Sequence, residues 1–319
     1  MVPPGFSLAI PVIVLGLALV IDRLIGDPHS PLHPVAIIGR FIGWWGRPAL
    51  YPHEAQRAAG ILFWFLTAIL FGVPFFLFTL LAQQLLYLLI APFLLKVCFA
   101  WRSLEDHTRA VTEAFRESLE SGRIKAQLLV SRSTATLGRE QTLSAAYESL
   151  TENLTDSIVS PLLFFGVFGL TGAAIYRAAN TMDAMLGYRD ERERLGWWSA
   201  RMDDILTFIP ARITALLLLL YFAGKGRFRP ALVIMCRDGR RRPGFNGGIV
   251  MAAMAGGIGI RFEKPGVYTI GDPNRTLEDG GAEIFRAVRC VAAIAAIVTA
   301  IVAAGTLFLL GSGINNIGI

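Results

Sequence analysis

The stretch YESLTENLTDSIVSPLLFFGVFGLTGAAIYRAANTMDAMLGY, Tyr147–Tyr188, decides how this chain is read. Its middle, Ser157–Tyr176, runs for 20 residues without a charge. Acidic and amide residues crowd both ends: Glu148, Glu152, Asn153 and Asp156 before the apolar run, Arg177, Asn180 and Asp183 after it. Such groups are costly beside lipid unless they are paired or bind something. The pattern points to chemistry at a membrane.

The rest of the chain agrees. Of 319 residues, 54% are hydrophobic and 17% charged, against about 25% charged in soluble globular proteins. Mean hydropathy is +0.54. The apolar residues come in long blocks, so the expected fold is all-α: a multi-pass integral membrane protein in contact with the lipid bilayer, forming a single membrane-embedded domain over 1–319. The net charge of +6 is concentrated in Lys225–Arg242, with seven basic residues against Asp238. That is a cytoplasmic loop obeying the positive-inside rule; no nucleic-acid module is visible, so nucleic acid is not an expected partner. Cys98, Cys236 and Cys290 are scattered, and form neither a disulfide framework nor a metal-spaced pair.

Along the chain, Met1–Ile21 reads as a retained span ending at DRLIGDPHSPLHPVAIIGRFIGWW (Asp22–Trp45), where Pro28, Pro31 and Pro34 forbid a regular helix. Ala58–Leu95 holds 38 uncharged residues, enough for two spans of about 20 residues, broken near Pro74 or at Gln83-Gln84. Trp101–Leu150 is charged and helically spaced, with Ser121-Gly122 as an interruption. It reads as a polar helical cytoplasmic subdomain over 101–150. Ser157–Tyr176 and Ile205–Gly224 either cross or are re-entrant; re-entry keeps the charged motifs on one face. Pro243–Ile260, with six glycines in 18 residues, reads as a close-packed helix or a ligand-contacting loop. Gly271–Arg275 is a turn, and Cys290–Ile319 holds the last span.

Glu148, Glu152 and Asp156 are spaced i, i+4, i+8 and share one helix face. Three carboxylates in a row repel unless a cation or a basic partner sits among them. Mg²⁺ held by carboxylates together with substrate phosphates fits this set. Asn153-x-x-Asp156 and Asn180-x-x-Asp183 repeat one pattern at the two ends of the apolar run. Arg177, Arg189 and Arg201 are suited to clamping phosphates or carboxylates. Asp203-Asp204 is either a further metal-ligand group or a helix N-terminal charge. His29-x-x-x-His33 reads as a structural or substrate-contacting loop. His107 is either a general base or a surface histidine. No P-loop, G-x-S-x-G or H-E-x-x-H pattern occurs, so any nucleotide site is unconventional.

Six blocks in order resemble the adenosylcobinamide-phosphate synthase (CobD/CbiB) family of cobalamin biosynthesis: DRLIGDPHSPLHPVAIIGRFI (22–42), RSLEDHTRAV (102–111), YESLTENLTDSIVSPL (147–162), YRAANTMDAMLGYR (176–189), ARMDDILTFIPARITALLL (200–218) and NGGIVMAAMAGGIGIRF (246–262). One departure stands out. Where the family shows a His-Pro-Ser-Pro-Asn-like stretch, this chain has RRPGFNGG (Arg241–Gly248), keeping Asn246 but neither the histidine nor the serine. The resemblance implies a multi-pass plasma-membrane acid–amine ligase with its site facing the cytoplasm. Such an enzyme joins the free carboxyl of adenosylcobyric acid, a corrinoid, to aminopropanol or its phosphate, with ATP as co-substrate and Mg²⁺. It can belong to a membrane assembly with other corrinoid-pathway enzymes. On this reading Glu148, Glu152, Arg177, Asn180, Arg189 and Arg201 are catalytic. Asp27, His33, Arg40, Arg102, Glu105, Asn153 and Asn246 bind substrate. Glu148, Glu152, Asp156, Asp183, Asp203 and Asp204 hold the metal. Two other readings compete: a Mg²⁺-dependent prenyltransferase-like membrane enzyme, which also suits paired N-x-x-D motifs, and a non-catalytic transporter or sensor.

Overall fold

The computed structural model describes residues 4–27 and 33–316, with side chains over 9–27 and 33–309. Among the described residues the chain is all-α apart from one hairpin. In order it forms α1 (Pro4–Ile25), α2 (Pro34–Trp45), α3 (Gln56–Leu81), α4 (Gln84–Lys96), α5 (Trp101–Ala114), α6 (Leu119–Gln127), α7 (Arg139–Asn153), a π turn (Leu154–Val159), α8 (Ser160–Leu186), α9 (Glu193–Ala223), α10 (Phe228–Asp238), α11 (Gly247–Ile258), β1 (Arg261–Lys264), β2 (Tyr268–Gly271) and α12 (Leu277–Asn316). Among the described residues five stretches are long and apolar enough to cross a bilayer: Gln56–Leu81, Gln84–Ala114, Arg139–Leu186, Glu193–Ala223 and Leu277–Leu309.

Several expectations are met and others corrected. The 58–95 run breaks at Gln83, which is extended (φ −62°, ψ 152°), while Pro74 stays inside α3. The first helix does not stop at Ile21 but continues to Ile25, which places Asp22 inside it and fully buried. Between 101 and 150 there are three helices rather than two, and Ser121-Gly122 lies within α6 instead of breaking it. Ser118 Oγ accepts the Ser121 N–H at 2.9 Å and so caps a new helix start. Gly122 serves close packing: a Cβ there would meet the Phe115 ring at 2.5–2.8 Å. The β-hairpin was not foreseen. Its strands are four residues each, joined through Pro265-Gly266 with Gly266 at φ +72°, and Phe262 pairs with Ile270, both buried. Within 243–260 the close-packed helix prevails, since every residue of α11 except Ile249 is buried.

The chain divides into two compact units. The first comprises 1–100, 160–206 and 296–319. Its core joins Ile38, Ile42 and Trp45 of α2, Trp64 and Ala68 of α3, Ala178, Ala179, Met182 and Leu186 of α8, and Leu195 of α9. Trp45 stacks on Phe63 at 5.3 Å. The apolar run 157–176 is not a straight helix. It leaves the π turn and breaks again at Gly169 (φ +64°, ψ −159°), a conformation glycine adopts without steric cost. A cavity of 620 Å³ opens at this break, lined by Tyr87, Phe165, Gly169 and Thr306 among others.

The second unit comprises 101–159 and 207–295. The 101–150 stretch folds as part of it. At its centre is α7, polar in sequence yet buried from Thr142 to Thr151. A buried polar helix must satisfy its own groups. Thr142 and Thr151 donate to the carbonyls of Gly138 and Tyr147, and Ser144 Oγ accepts the Glu263 N–H of β1 at 2.7 Å.

Asp238, at the end of α10 and fully buried, ties this helix to the hairpin. It accepts from the Gly271 N–H at 2.8 Å and from Arg237 at 2.8 Å, and pairs with Arg241 at 3.0 Å. Burial pushes its pKa up, but the Arg237 and Gly271 hydrogen bonds and both guanidinium charges outweigh that and hold it below the ordinary aspartate value. A carboxyl with a depressed folded pKa stabilises the fold above its unfolded pKa, and that contribution is lost as pH falls through the folded value. Asp238→Asn is therefore expected to lower the melting temperature in detergent at pH 7. The difference from wild type should narrow below about pH 4.

Candidate functional site

The carboxylate face of α7 pairs two of its acids with arginines. Glu148 is buried and its oxygens are engaged by protein groups: Ser144 Oγ donates at 2.5 Å, Tyr268 Oη at 2.6 Å and Arg132 at 3.3 Å. Burial, then the Glu148 charge, raise the Tyr268 pKa, so the phenol keeps its proton and donates. One turn on, Glu152 pairs with Arg242. Burial works against the Arg242 charge, but Glu152, Tyr268 and Asp156 outweigh it and the guanidinium holds its proton more firmly than usual. Asn153 Oδ1 accepts from Ser157 Oγ at 2.8 Å, and its amide donates to the Ser149 carbonyl. The π turn begins just after Asn153, so Asp156 sits on widened backbone, a local geometry often found at functional sites.

The Arg241–Gly248 loop supplies the opposite charge. Arg242 lies over Gly247, where a Cβ would meet its guanidinium at 2.9 and 3.1 Å and Glu152 Oε1 at 3.4 Å. Asn246 is buried and accepts from Arg212 at 2.5 Å, and Arg212 also donates to the Phe245 carbonyl at 3.1 Å. Thus basic partners, Arg132 and Arg242, sit among the three carboxylates. Among the described residues no three His, Cys, Asp or Glu side chains group as a metal cluster. The chemistry of the set fits Mg²⁺ shared by one or two carboxylates with ligand phosphates, for which Glu152 and Asp156 would be the candidates. Glu148 already accepts from three protein donors.

Other expected site residues lie in the first unit. Lys96 is 5% exposed and pairs with Asp27, with fully buried Asp22 at 3.7 Å. His33 caps α2 through Nδ1, which accepts the Val35 N–H at 3.3 Å, so Nε2 carries the proton. Nε2 lies 3.7 Å from Asp27. Burial lowers the His33 pKa; Asp27 opposes this, and Lys96 and Arg177 add to it. Arg177 Nε is buried without an acceptor among the described residues. Asn180 donates to Asp203 at 3.3 Å. Asp183 ends α8 beside Gly187, and Asp204 is half-buried on α9. Arg40, Arg189 and Arg201 are exposed. His29 lies outside the described residues.

In the second unit Glu105 is buried between Trp101 Nε1 (2.7 Å) and Arg289 (2.7 Å). Arg102 pairs with Asp106 at 3.3 Å, and His107 is exposed, bonded to the Ser103 carbonyl. The two N-x-x-D motifs therefore belong to different units. Arg132, Arg242, Tyr268 and Lys96 escaped the sequence reading. Arg242 and Lys96 had a signal, one inside the basic RRPGFNGG stretch and one closing an apolar run. Arg212 had one as well, a charge inside the apolar segment Ile205–Gly224. Arg132 and Tyr268 carried none.

Fold and site together define an all-α, multi-span membrane protein whose ionic face pairs carboxylates with guanidinium groups. The profile of the family described as CobD/Cbib protein matches residues 15–309. This chain belongs to that family. It is 44% identical over 266 residues to a probable cobalamin biosynthesis protein CobD of Methanothermobacter thermautotrophicus, covering 82% of this chain and 86% of the relative. It is 41% identical to the probable cobalamin biosynthesis protein CobD of Pyrococcus abyssi (81% and 85% covered). With the cobalamin biosynthesis protein CobD of Dehalococcoides mccartyi the identity is 37% (82% and 87% covered). No solved structure matches.

Proposed function

We propose that this chain is a cobalamin-biosynthesis enzyme, an ATP- and Mg²⁺-dependent ligase that joins the carboxyl of adenosylcobyric acid to aminopropanol or its phosphate. The observation that carries the reading is the Glu152–Arg242–Asp156 face, ionic on both signs. Phosphoryl transfer relies on positioning and charge stabilisation rather than on a covalent protein group. In the proposed reaction the corrinoid carboxylate attacks the γ-phosphorus and ADP leaves. The amine nitrogen then attacks the acyl carbon, phosphate departs, and the nitrogen loses its proton.

Arg242 and Arg212 hold phosphate oxygens. Asn246, fixed by Arg212, orients the ligand. Glu152 and Asp156 hold Mg²⁺, which when bound offsets charge on the phosphates. Glu148, Arg132 and Tyr268 keep α7 and the hairpin in register. The site is placed on the cytoplasmic side of the plasma membrane, on the strength of the basic residues of Lys225–Arg242. Purified protein given both substrates, ATP and Mg²⁺ is expected to form the corrinoid amide and to release ADP over many turnovers only when acid and amine are present together. Sustained ADP release with both substrates present and no amide formed would sink the reading.

A further inference from the structure

The Glu152–Arg242 pair is unusual in its setting. It is neither a surface ion pair nor a sealed one: Glu152 is 31% and Arg242 23% exposed. The pair lies directly against the Gly247 backbone, where a Cβ would meet the Arg242 guanidinium at 2.9 and 3.1 Å and Glu152 Oε1 at 3.4 Å. Asp156 adds a second negative charge that acts on Arg242. One turn back, Arg132 Nε is buried with no acceptor among the described residues, although its terminal nitrogen reaches Glu148. The face therefore presents both signs of charge within one side chain's reach, each partly answered by the other.

We infer that the Glu152–Arg242 pair is a placeholder for a ligand carrying both charges, a phosphate with a positive centre a few ångströms away. On binding, the phosphate takes Arg242 and the positive centre takes Glu152 and Asp156, so the pair opens without leaving either charge alone. Two sources share this chemistry: a Mg²⁺-bound phosphate chain of a nucleotide, and the ammonium phosphate ester of an amino alcohol. The inference rests on the ligase reading for its substrates but concerns binding alone.

The physics dictates an uneven response. A lone phosphate must take Arg242 from Glu152 and strand the carboxylate. A lone cation must take Glu152 and strand the guanidinium, and stranding a half-buried charge is costly. A ligand with both charges avoids either loss, so its two halves bind cooperatively. Removing one member of the pair frees the other: Glu152→Gln should tighten binding of a lone phosphate and weaken that of a lone cation, and Arg242→Gln should do the reverse. A purely structural ion pair would not give opposite signs.

The test is isothermal titration calorimetry on the full chain in detergent, with MgCl₂ alone, pyrophosphate alone, both together, and aminopropanol phosphate alone. Melting curves check that each variant is folded, and Glu152→Asp, whose shorter arm also parts the pair, stands in if Glu152→Gln does not fold. In wild type, Mg²⁺ and pyrophosphate together, or aminopropanol phosphate alone, should bind at least about tenfold more tightly than either lone ion. The first result assigns the site to the nucleotide, the second to the amine substrate. Glu152→Gln should bind pyrophosphate alone about tenfold more tightly than wild type and lose the coupling. Unchanged or weaker pyrophosphate binding in that variant, or no coupling with either ligand, overturns the inference. Amide formation without coupling would defeat this inference alone, and coupling without amide formation would defeat the ligase reading alone.

Discussion

Glu148→Ala is expected to destabilise the protein by about 3–5 kcal/mol, the cost of removing one partner from a buried ion pair. Three groups lose their acceptor at once: Arg132, Ser144 and Tyr268. The loss falls at the junction of α7 with the hairpin, where Ser144 also holds the Glu263 N–H. Equilibrium unfolding of the detergent-solubilised protein measures it. The outcome also separates two roles for this residue. A variant that stays within about 1 kcal/mol of wild type but loses Mg²⁺ affinity would make Glu148 a metal ligand after all.

Lys96→Met is expected to cost about as much, for the same reason in the first unit. The ammonium is 5% exposed and faces Asp27 and fully buried Asp22, so its removal leaves two carboxylates without their shared cation. Adding Asp22→Asn to Lys96→Met should recover a substantial part of the loss, because the buried charge goes with its partner. Additive destabilisation in this double-mutant cycle would mean that Lys96 contributes through packing rather than charge.

The helices were legible because hydropathy and length dictate them: the 38-residue uncharged run at 58–95 and the run closing the chain both lie in helical stretches long and apolar enough to cross a bilayer. The charged faces were half legible. The spacing of Glu148, Glu152 and Asp156 placed them along one element, and the need for a basic partner followed from their repulsion. Which base answers which acid was not readable, because Arg132 and Arg242 arrive from loops whose register no periodicity fixes. Asn246 was readable through the family block, yet its role as the acceptor of Arg212 depends on a contact 34 residues back in the chain. Ser121-Gly122 shows a local rule overridden by context. A serine–glycine step usually signals a break, but a cap at Ser118 and the ring of Phe115 turn it into helix. The hairpin was missed because four-residue strands give too few alternations to stand against a helical background.

The central claim is amide formation through an activated carboxylate, and an isotope tracer tests it most directly. The reaction is run with adenosylcobyric acid labelled with ¹⁸O in its free carboxyl, aminopropanol or its phosphate, ATP and Mg²⁺. Mass spectrometry then reads the corrinoid and the inorganic phosphate. The account predicts the amide product and one ¹⁸O atom transferred to each phosphate released. No amide, or amide accompanied by phosphate free of label, would contradict it.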